Sequence, residues 1–272
     1  MASEAANPLA CKRIVVTRAA DQAEPLCREL ASRGAVPLQL PTVGFAPPAD
    51  PAPLDHALSS LAEFDWLFLT SQNAVRALTE RLLAFGLDAS GAGGRPQVAA
   101  VGPATAEAAA SAGFRVTYVA REHRGTALAD ELGPRLHGAH VLLPRSDRAG
   151  ADLPDALRSS GARVTEIVAY HTVRVQSQDD SVLRAVQTGE VDVITFFSPS
   201  AFHNLAEELG LNVLRTIHSQ TAIAAIGPVT AGALRDAGIV PDVVSADASV
   251  DSLVAALCDF FLLRRQAGAR AQ

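Results

Sequence analysis

Lysine is almost absent from this chain: of its 23 lysines and arginines, only Lys12 is a lysine. It stands in a polar N-terminal lead-in, MASEAANPLACKR, so Schiff-base and pyridoxal phosphate chemistry has no suitable nucleophile. Cysteine is nearly as scarce. Cys11, Cys27 and Cys258 form no CxxC pair and are odd in number, which argues against both a disulfide framework and a zinc site. The seven histidines show no HxxxH or HExxH spacing, so no metal site is expected. The stretch SGAGGRP lacks the GxGxxG order and runs into Pro96, and no GxSxG elbow occurs. Neither a dinucleotide fingerprint nor an α/β-hydrolase nucleophile is therefore offered. No uncharged apolar run approaches roughly 18 residues, and the N-terminus has no apolar segment of signal-peptide length. The expectation is a cytoplasmic protein without membrane contact. A net charge of -6 supplies no basic face for nucleic acid, which leaves a small molecule as the expected partner.

What the chain does contain is one text written twice. AAVGPATAEAAASAG, from Ala99, returns from Ala224 as AAIGPVTAGALRDAG. RIVVTRAADQAEPLCRELASRGA aligns with HVLLPRSDRAGADLPDALRSSGA, pairing Arg18 with Arg145 at an offset of 127 residues. FDWLFLTSQNAVRAL and VDVITFFSPSAFHNL keep that offset, pairing Ser71 with Ser198. The chain of 272 residues thus reads as two copies of one unit, and 49% hydrophobic residues are enough to give it a full core.

Within each copy, β-rich runs such as RIVV, WLFL, VAAV and TYVA alternate with helical patterns such as EPLCRELASRG and ATAEAAASAG. That alternation predicts an α/β fold with parallel sheets and helical crossovers. Gly34, Gly113, Gly161 and Gly238 stand where left-handed helix caps are wanted. VPLQLPTVGFAPPADPAP and VTEIVAYHTVRVQSQDD read as extended linker strands. The N-terminal dozen residues and the C-terminal RRQAGARAQ are expected to fray.

VVTRA, LFLTSQNAV, AAVGPATAEA, GTALADEL, LLPRSDRAG, IVAYHTV, FFSPSAF and AAIGPVTAGAL, in this order and spacing, resemble the uroporphyrinogen-III synthase family from residue 13 to about 260. The resemblance implies two flavodoxin-like domains joined by a two-stranded β-ladder. One would combine residues 1–36 with 176–272, the other would span 48–163, and residues 37–47 and 164–175 would pair as the ladder between them.

Ligands of open parallel sheets gather at the carboxyl ends of strands, before helix N-termini. Ser71 and Asn73 in TSQNAV, Ser198 and Ser200 in FSPSAF, and Thr105 and Thr230 behind Pro103 and Pro228 all fall there. They read either as anion cradles or as ordinary helix caps, and two lobes facing one another would turn both sets to one cleft. Arg18 and Arg145, at the ends of equivalent strands, would add charge-assisted bonds or else pair with nearby carboxylates. The ligand implied by the resemblance is hydroxymethylbilane, a linear tetrapyrrole bearing eight carboxylates. Its cyclisation to uroporphyrinogen III loses water and inverts ring D, with no cofactor, in a monomeric enzyme. The resemblance also implies that Tyr170, one of two tyrosines, aids departure of the hydroxyl. His171, on the opposite face of a regular strand, is set aside. The alternative reading is a two-domain binding protein for small polyanions without catalytic activity.

Overall fold

The computed structural model describes residues 7–87, 89, 95–122, 126–176 and 180–270, the side chains of 268–270 aside. The glycines of SGAGGRP and the first six residues of the lead-in lie outside the described residues. In chain order the first copy forms β1 (Arg13–Val16), α1 (Ala20–Ser32), β2 (Val36–Gln39), β3 (Val43–Ala46), α2 (Ala52–Ser59), β4 (Trp66–Leu69), α3 (Gln72–Ala84), β5 (Gln97–Ala100), α4 (Pro103–Ser111), β6 (Val116–Val119) and α5 (Ala127–Leu132). The second forms β7 (His140–Ser146), α6 (Asp152–Ser159), β8 (Arg163–Arg174), α7 (Asp180–Gln187), β9 (Val193–Phe196), α8 (Pro199–Leu209), α9 (Leu211–Ile217), β10 (Ala222–Ala225), α10 (Pro228–Asp236), β11 (Val243–Val244) and α11 (Val250–Arg270).

Two sheets result. One has the order β2-β1-β9-β10-β11 and is parallel throughout. The other has the order β3-β8-β7-β4-β5-β6, parallel from β8 to β6. The five-stranded sheet follows the flavodoxin order, in which the second strand lies outside the first and the third to fifth follow on its other side; with β3 set aside, the six-stranded sheet has the same arrangement circularly permuted, since β4, β5 and β6 precede β7 and β8 in the chain. Each sheet takes its first two strands from one copy and its last three from the other. The chain divides into two compact units, residues 1–44 with 173–272 and residues 45–172.

The expected ladder segments do not stand apart from the sheets. β2 is an edge of the five-stranded sheet, and β3 is the edge of the six-stranded sheet beside β8. β8 runs for 12 residues, long enough to carry β7 on one flank and β3 on the other, so the ladder is the outermost pair of a sheet. Nor does the C-terminal segment fray as expected: α11 continues to Arg270. Leu253, Val254, Leu257 and Phe261 bury one stripe of it, Arg264 covers the Phe260 ring at 5.0 Å, and Arg265 donates to Asn7 O at 3.2 Å. The lead-in is likewise tied down from residue 7. Leu9 is fully buried, and Lys12 Nζ lies 2.7 Å from Asp192 and 5.0 Å from the Phe261 ring centre.

Alternation along the strands fills the core. In the unit of residues 45–172, Leu67 and Leu69 of β4 pack with Val75 and Leu78 of α3 on one face of the sheet. Trp66 and Phe68 pack with Leu128, Leu132 and Leu157 in a second cluster. A strand buried on both faces has no polar alternation, which is why WLFL reads as an unbroken apolar run. Among the described residues no helix is long and apolar enough to cross a membrane.

Candidate functional site

In a sheet of this order the crevice for ligands opens at the carboxyl ends of the first and third strands, where the chain changes direction across the sheet. In the unit of residues 1–44 and 173–272 those strands are β1 and β9. Arg18 follows β1, and Phe197 and Ser198 follow β9. Ser198 is the N-cap of α8: its Oγ accepts the Ala201 N–H at 3.1 Å, Pro199 takes the first helical position, and Ser200 the second. One strand further out, Gly227 caps α10, with Pro228 first in the helix and Thr230 behind it. The Gly227 backbone is extended, and a Cβ there would meet nothing nearer than Ala248 Cβ at 3.8 Å. Neither backbone conformation nor packing within the unit requires a glycine there, and its lack of a side chain leaves the N-terminus of α10 open.

Arg18 is half-buried, with its guanidinium 5.3 Å above the centre of the Phe197 ring and a long 3.5 Å bond to Gln22 Oε1. Among the described residues it has no carboxylate partner. Burial pushes its pKa below the usual arginine value, the sign of a cation that has lost water without gaining an anion.

In the unit of residues 45–172 the corresponding strands are β7 and β4. Ser71 caps α3 as Ser198 caps α8, its Oγ accepting the Ala74 N–H at 3.1 Å, and the same Oγ lies 3.1 Å from Tyr170 Oη. With one lone pair of Ser71 taken, one hydroxyl proton lies between the two oxygens and the other has no acceptor among the described residues. The half-buried Tyr170 ring meets Phe45 edge-on at 5.6 Å, and Arg76 covers Phe45 at 5.6 Å. Asn73 sits half-buried in the first turn of α3. Thr105 occupies in α4, behind Pro103, the place that Thr230 has in α10. Thr105 and Thr230 are 6% and 3% exposed, and neither hydroxyl has a hydrogen-bond partner among the described residues.

Arg145 has a different situation from Arg18. It is 9% exposed, its Nη1 donates to Glu166 Oε2 at 2.8 Å and its Nη2 to Gly150 O. Glu166 is held by Arg158 as well. Of the two readings open for an arginine at a strand end, Arg145 takes the internal ion pair.

Two features at the end of β8 have no counterpart in the sequence reading. The pairing of β7 with β8 shifts register, Arg145 facing Val168 and Ser146 facing Tyr170, so that Ala169 is an extra residue. The strand is therefore irregular where His171 was set aside on the assumption of regularity. His171 Nδ1 lies 3.1 Å from Asp147 Oδ2, and Ser146 Oγ lies 2.9 Å from Thr172 Oγ1. The repeat carries the missed signal: 127 residues upstream of Asp147 and Tyr170 stand Ala20 and Val43, so at these two positions only the second copy is polar. Among the described residues no group of three or more His, Cys, Asp or Glu is placed to hold a metal ion.

Comparison with known proteins bears on the family and the fold. Residues 24–255 match the uroporphyrinogen-III synthase HemD family. Uroporphyrinogen-III synthase of Synechococcus elongatus is 35% identical over 231 residues, covering 83% of this chain and 86% of that protein. The chloroplastic uroporphyrinogen-III synthase of Oryza sativa is 29% identical over 259 residues, covering 90% of this chain and 80% of that protein. Among solved structures, a mutant uroporphyrinogen III synthase of the extremely thermophilic bacterium Thermus thermophilus is similar with a TM-score of 0.64 at 23% identity, over 93% of this chain and 99% of that one. At that identity it speaks for the fold alone.

Proposed function

This chain belongs to the uroporphyrinogen-III synthase family, enzymes of tetrapyrrole biosynthesis, and from that premise we propose how its own residues perform the cyclisation. The substrate is hydroxymethylbilane and the product uroporphyrinogen III, formed without metal or cofactor. The pyrrole nitrogen drives out the terminal hydroxyl, which takes up a proton and leaves as water, giving an azafulvene. Ring D attacks the freed carbon through its substituted position, and the spiro intermediate fragments and recloses with ring D inverted. The pyrroles supply the electrons, so the protein's part is to orient the chain and stabilise charge.

The observation that carries this reading is the Tyr170–Ser71 hydroxyl pair at the carboxyl end of a parallel sheet, with one proton that has no acceptor among the described residues. That proton hydrogen-bonds the departing hydroxyl. Arg18 binds a substrate carboxylate, because an anion replaces the hydration that burial has removed. Ser198, Ser200, Thr230, Thr105 and Asn73, each in the first turn of a helix or capping it, offer further donors to acetate and propionate groups. Arg145 supports the sheet beneath Tyr170 through Glu166 and does not bind substrate.

Product identity is the test. Hydroxymethylbilane closes unaided to the type I isomer, so loss of substrate proves nothing. Purified protein with no added metal or nucleotide is expected to give predominantly the type III isomer on chromatography. Type I product at the uncatalysed rate would overturn the assignment.

A further inference from the structure

Tyr170 lies next to an irregularity that regular strand geometry cannot produce. Ile167 and Ala169 of β8, two residues apart, face one cluster with Leu69, Val75 and Leu78, as strand alternation requires. Tyr170, the next residue, packs against that same cluster instead of pointing away from it. The extra residue at Ala169 accounts for this: the bulge turns Tyr170 onto the face it would otherwise leave and sets its hydroxyl 3.1 Å from Ser71. A bulge interrupts the ladder, so something must hold the strand in its re-aimed course.

One residue of the loop after β7 does so. The Asp147 N–H donates to Tyr170 O at 3.2 Å. Its carboxylate accepts the Thr172 N–H at 2.9 Å and the Ser146 hydroxyl at 3.0 Å, and lies 3.1 Å from His171 Nδ1. Three successive residues of β8 are thus fastened to Asp147 just past the bulge. Burial raises the Asp147 pKa, but the donors from Thr172, His171 and Ser146 outweigh it and hold the carboxyl below its ordinary value. The first copy supplies a control within the chain: at the positions of Asp147, Tyr170 and His171 it has Ala20, Val43 and Gly44, so the clamp and the tyrosine occur together.

We infer that Asp147 is a positioning residue, fixing the bulge of β8 so that the Tyr170 hydroxyl meets Ser71 and the leaving group. The inference rests on the role given to Tyr170 above. It is tested by kinetics of Asp147→Ala, Asp147→Asn, Tyr170→Phe and the Asp147→Ala/Tyr170→Phe double variant. Asp147→Ala is expected to lower kcat about tenfold with KM within about twofold. Asp147→Asn keeps an oxygen for the Thr172 N–H and recovers most of that loss. In the Tyr170→Phe background the alanine change costs less than about twofold, because the hydroxyl it positions is gone. An undiminished loss in the double variant, or a KM rise at constant kcat, overturns the proposal. Should the alanine variant fail to fold, Asp147→Ser, one bond too short to reach Thr172, takes its place.

A second readout is independent of turnover. The chain has two tyrosines, Tyr118 and Tyr170, so 3-fluorotyrosine labelling gives two fluorine resonances, which Tyr170→Phe assigns. Asp147→Ala is expected to move the Tyr170 resonance and leave that of Tyr118. An unmoved Tyr170 resonance overturns the positioning. A moved resonance together with a fully active Tyr170→Phe upholds it and removes only the catalytic part given to the phenol.

Discussion

Arg18 and Arg145 occupy the same place in the two copies and meet opposite fates, one stacked on a ring and the other paired with a carboxylate. On the adjacent strand Gln39 faces Val16 in one sheet, and Glu166 faces Leu143 in the other, 127 residues later. Glu166 pairs with Arg145, whereas the matching Gln39 carries no charge and Arg18 lies over the Phe197 ring instead. Arg18→Ala should therefore raise KM by roughly 10- to 100-fold, the worth of a charge-assisted bond, with unchanged or slightly higher stability. Arg145→Ala should instead cost roughly 1–3 kcal/mol of unfolding free energy, between the values for exposed and buried pairs because Glu166 keeps Arg158. Steady-state kinetics and denaturant titration of the two variants separate these roles, and equal effects on KM would refute the asymmetry. For Tyr170→Phe, which removes one oxygen and leaves the Phe45 contact, kcat should fall roughly 10- to 1,000-fold with little loss of stability. Residual turnover is expected, since the hydroxyl departs readily without help; a fully active variant would reduce Tyr170 to packing.

Elements were legible in the sequence wherever the signal is local. RIVV and WLFL are strands as written, Pro103 and Pro228 open their helices, and Gly34, Gly113, Gly161 and Gly238 all have the positive φ that their cap positions require. The bulge in β8 was not legible, because one extra residue opposite Ser146 leaves no mark in periodicity. The burial of Arg145 was hidden for a related reason: its partner is 21 residues away on another strand. The anchoring of α11 escaped because polar RRQAGAR extends a helix whose apolar stripe ends earlier, at Phe261. A comparison of two caps tests the local part. Gly161 has φ 84°, and a Cβ there would lie 2.5 Å from His137 Nδ1; Gly86 has φ 65° and nothing within 4 Å. Gly86→Ala should cost about 1 kcal/mol for conformation alone, and Gly161→Ala more, by the displacement of His137. Denaturant midpoints measure both, and a Gly161→Ala variant no less stable than Gly86→Ala would show that His137 yields freely. Neither change touches the residues of the candidate site, so kcat should stay unaltered.

For the whole molecule the decisive quantity is the sign of its charge. The chain carries a net -6, and the proposed substrate carries up to eight carboxylates, so at long range the two repel. In the proposed reading attraction comes from groups that act at contact: Arg18, and the N–H groups at the starts of α3, α4, α8 and α10. These two contributions respond differently to salt. The repulsion acts across distances comparable with the Debye length, about 10 Å at 0.1 M, and is largely screened there, whereas a half-buried guanidinium in contact with a carboxylate is screened much less. Raising ionic strength from about 10 to about 100 mM should therefore raise kcat/KM a few-fold, where an enzyme steering an anion with a basic field would lose activity. The Arg18→Ala variant should keep this rise while starting from a lower value, because its defect is local and the field of the remaining charges is nearly the same. A steep fall of kcat/KM with salt in the unsubstituted protein would mean that a cationic surface steers the substrate after all, and that helix N-termini and Arg18 are too few to account for binding.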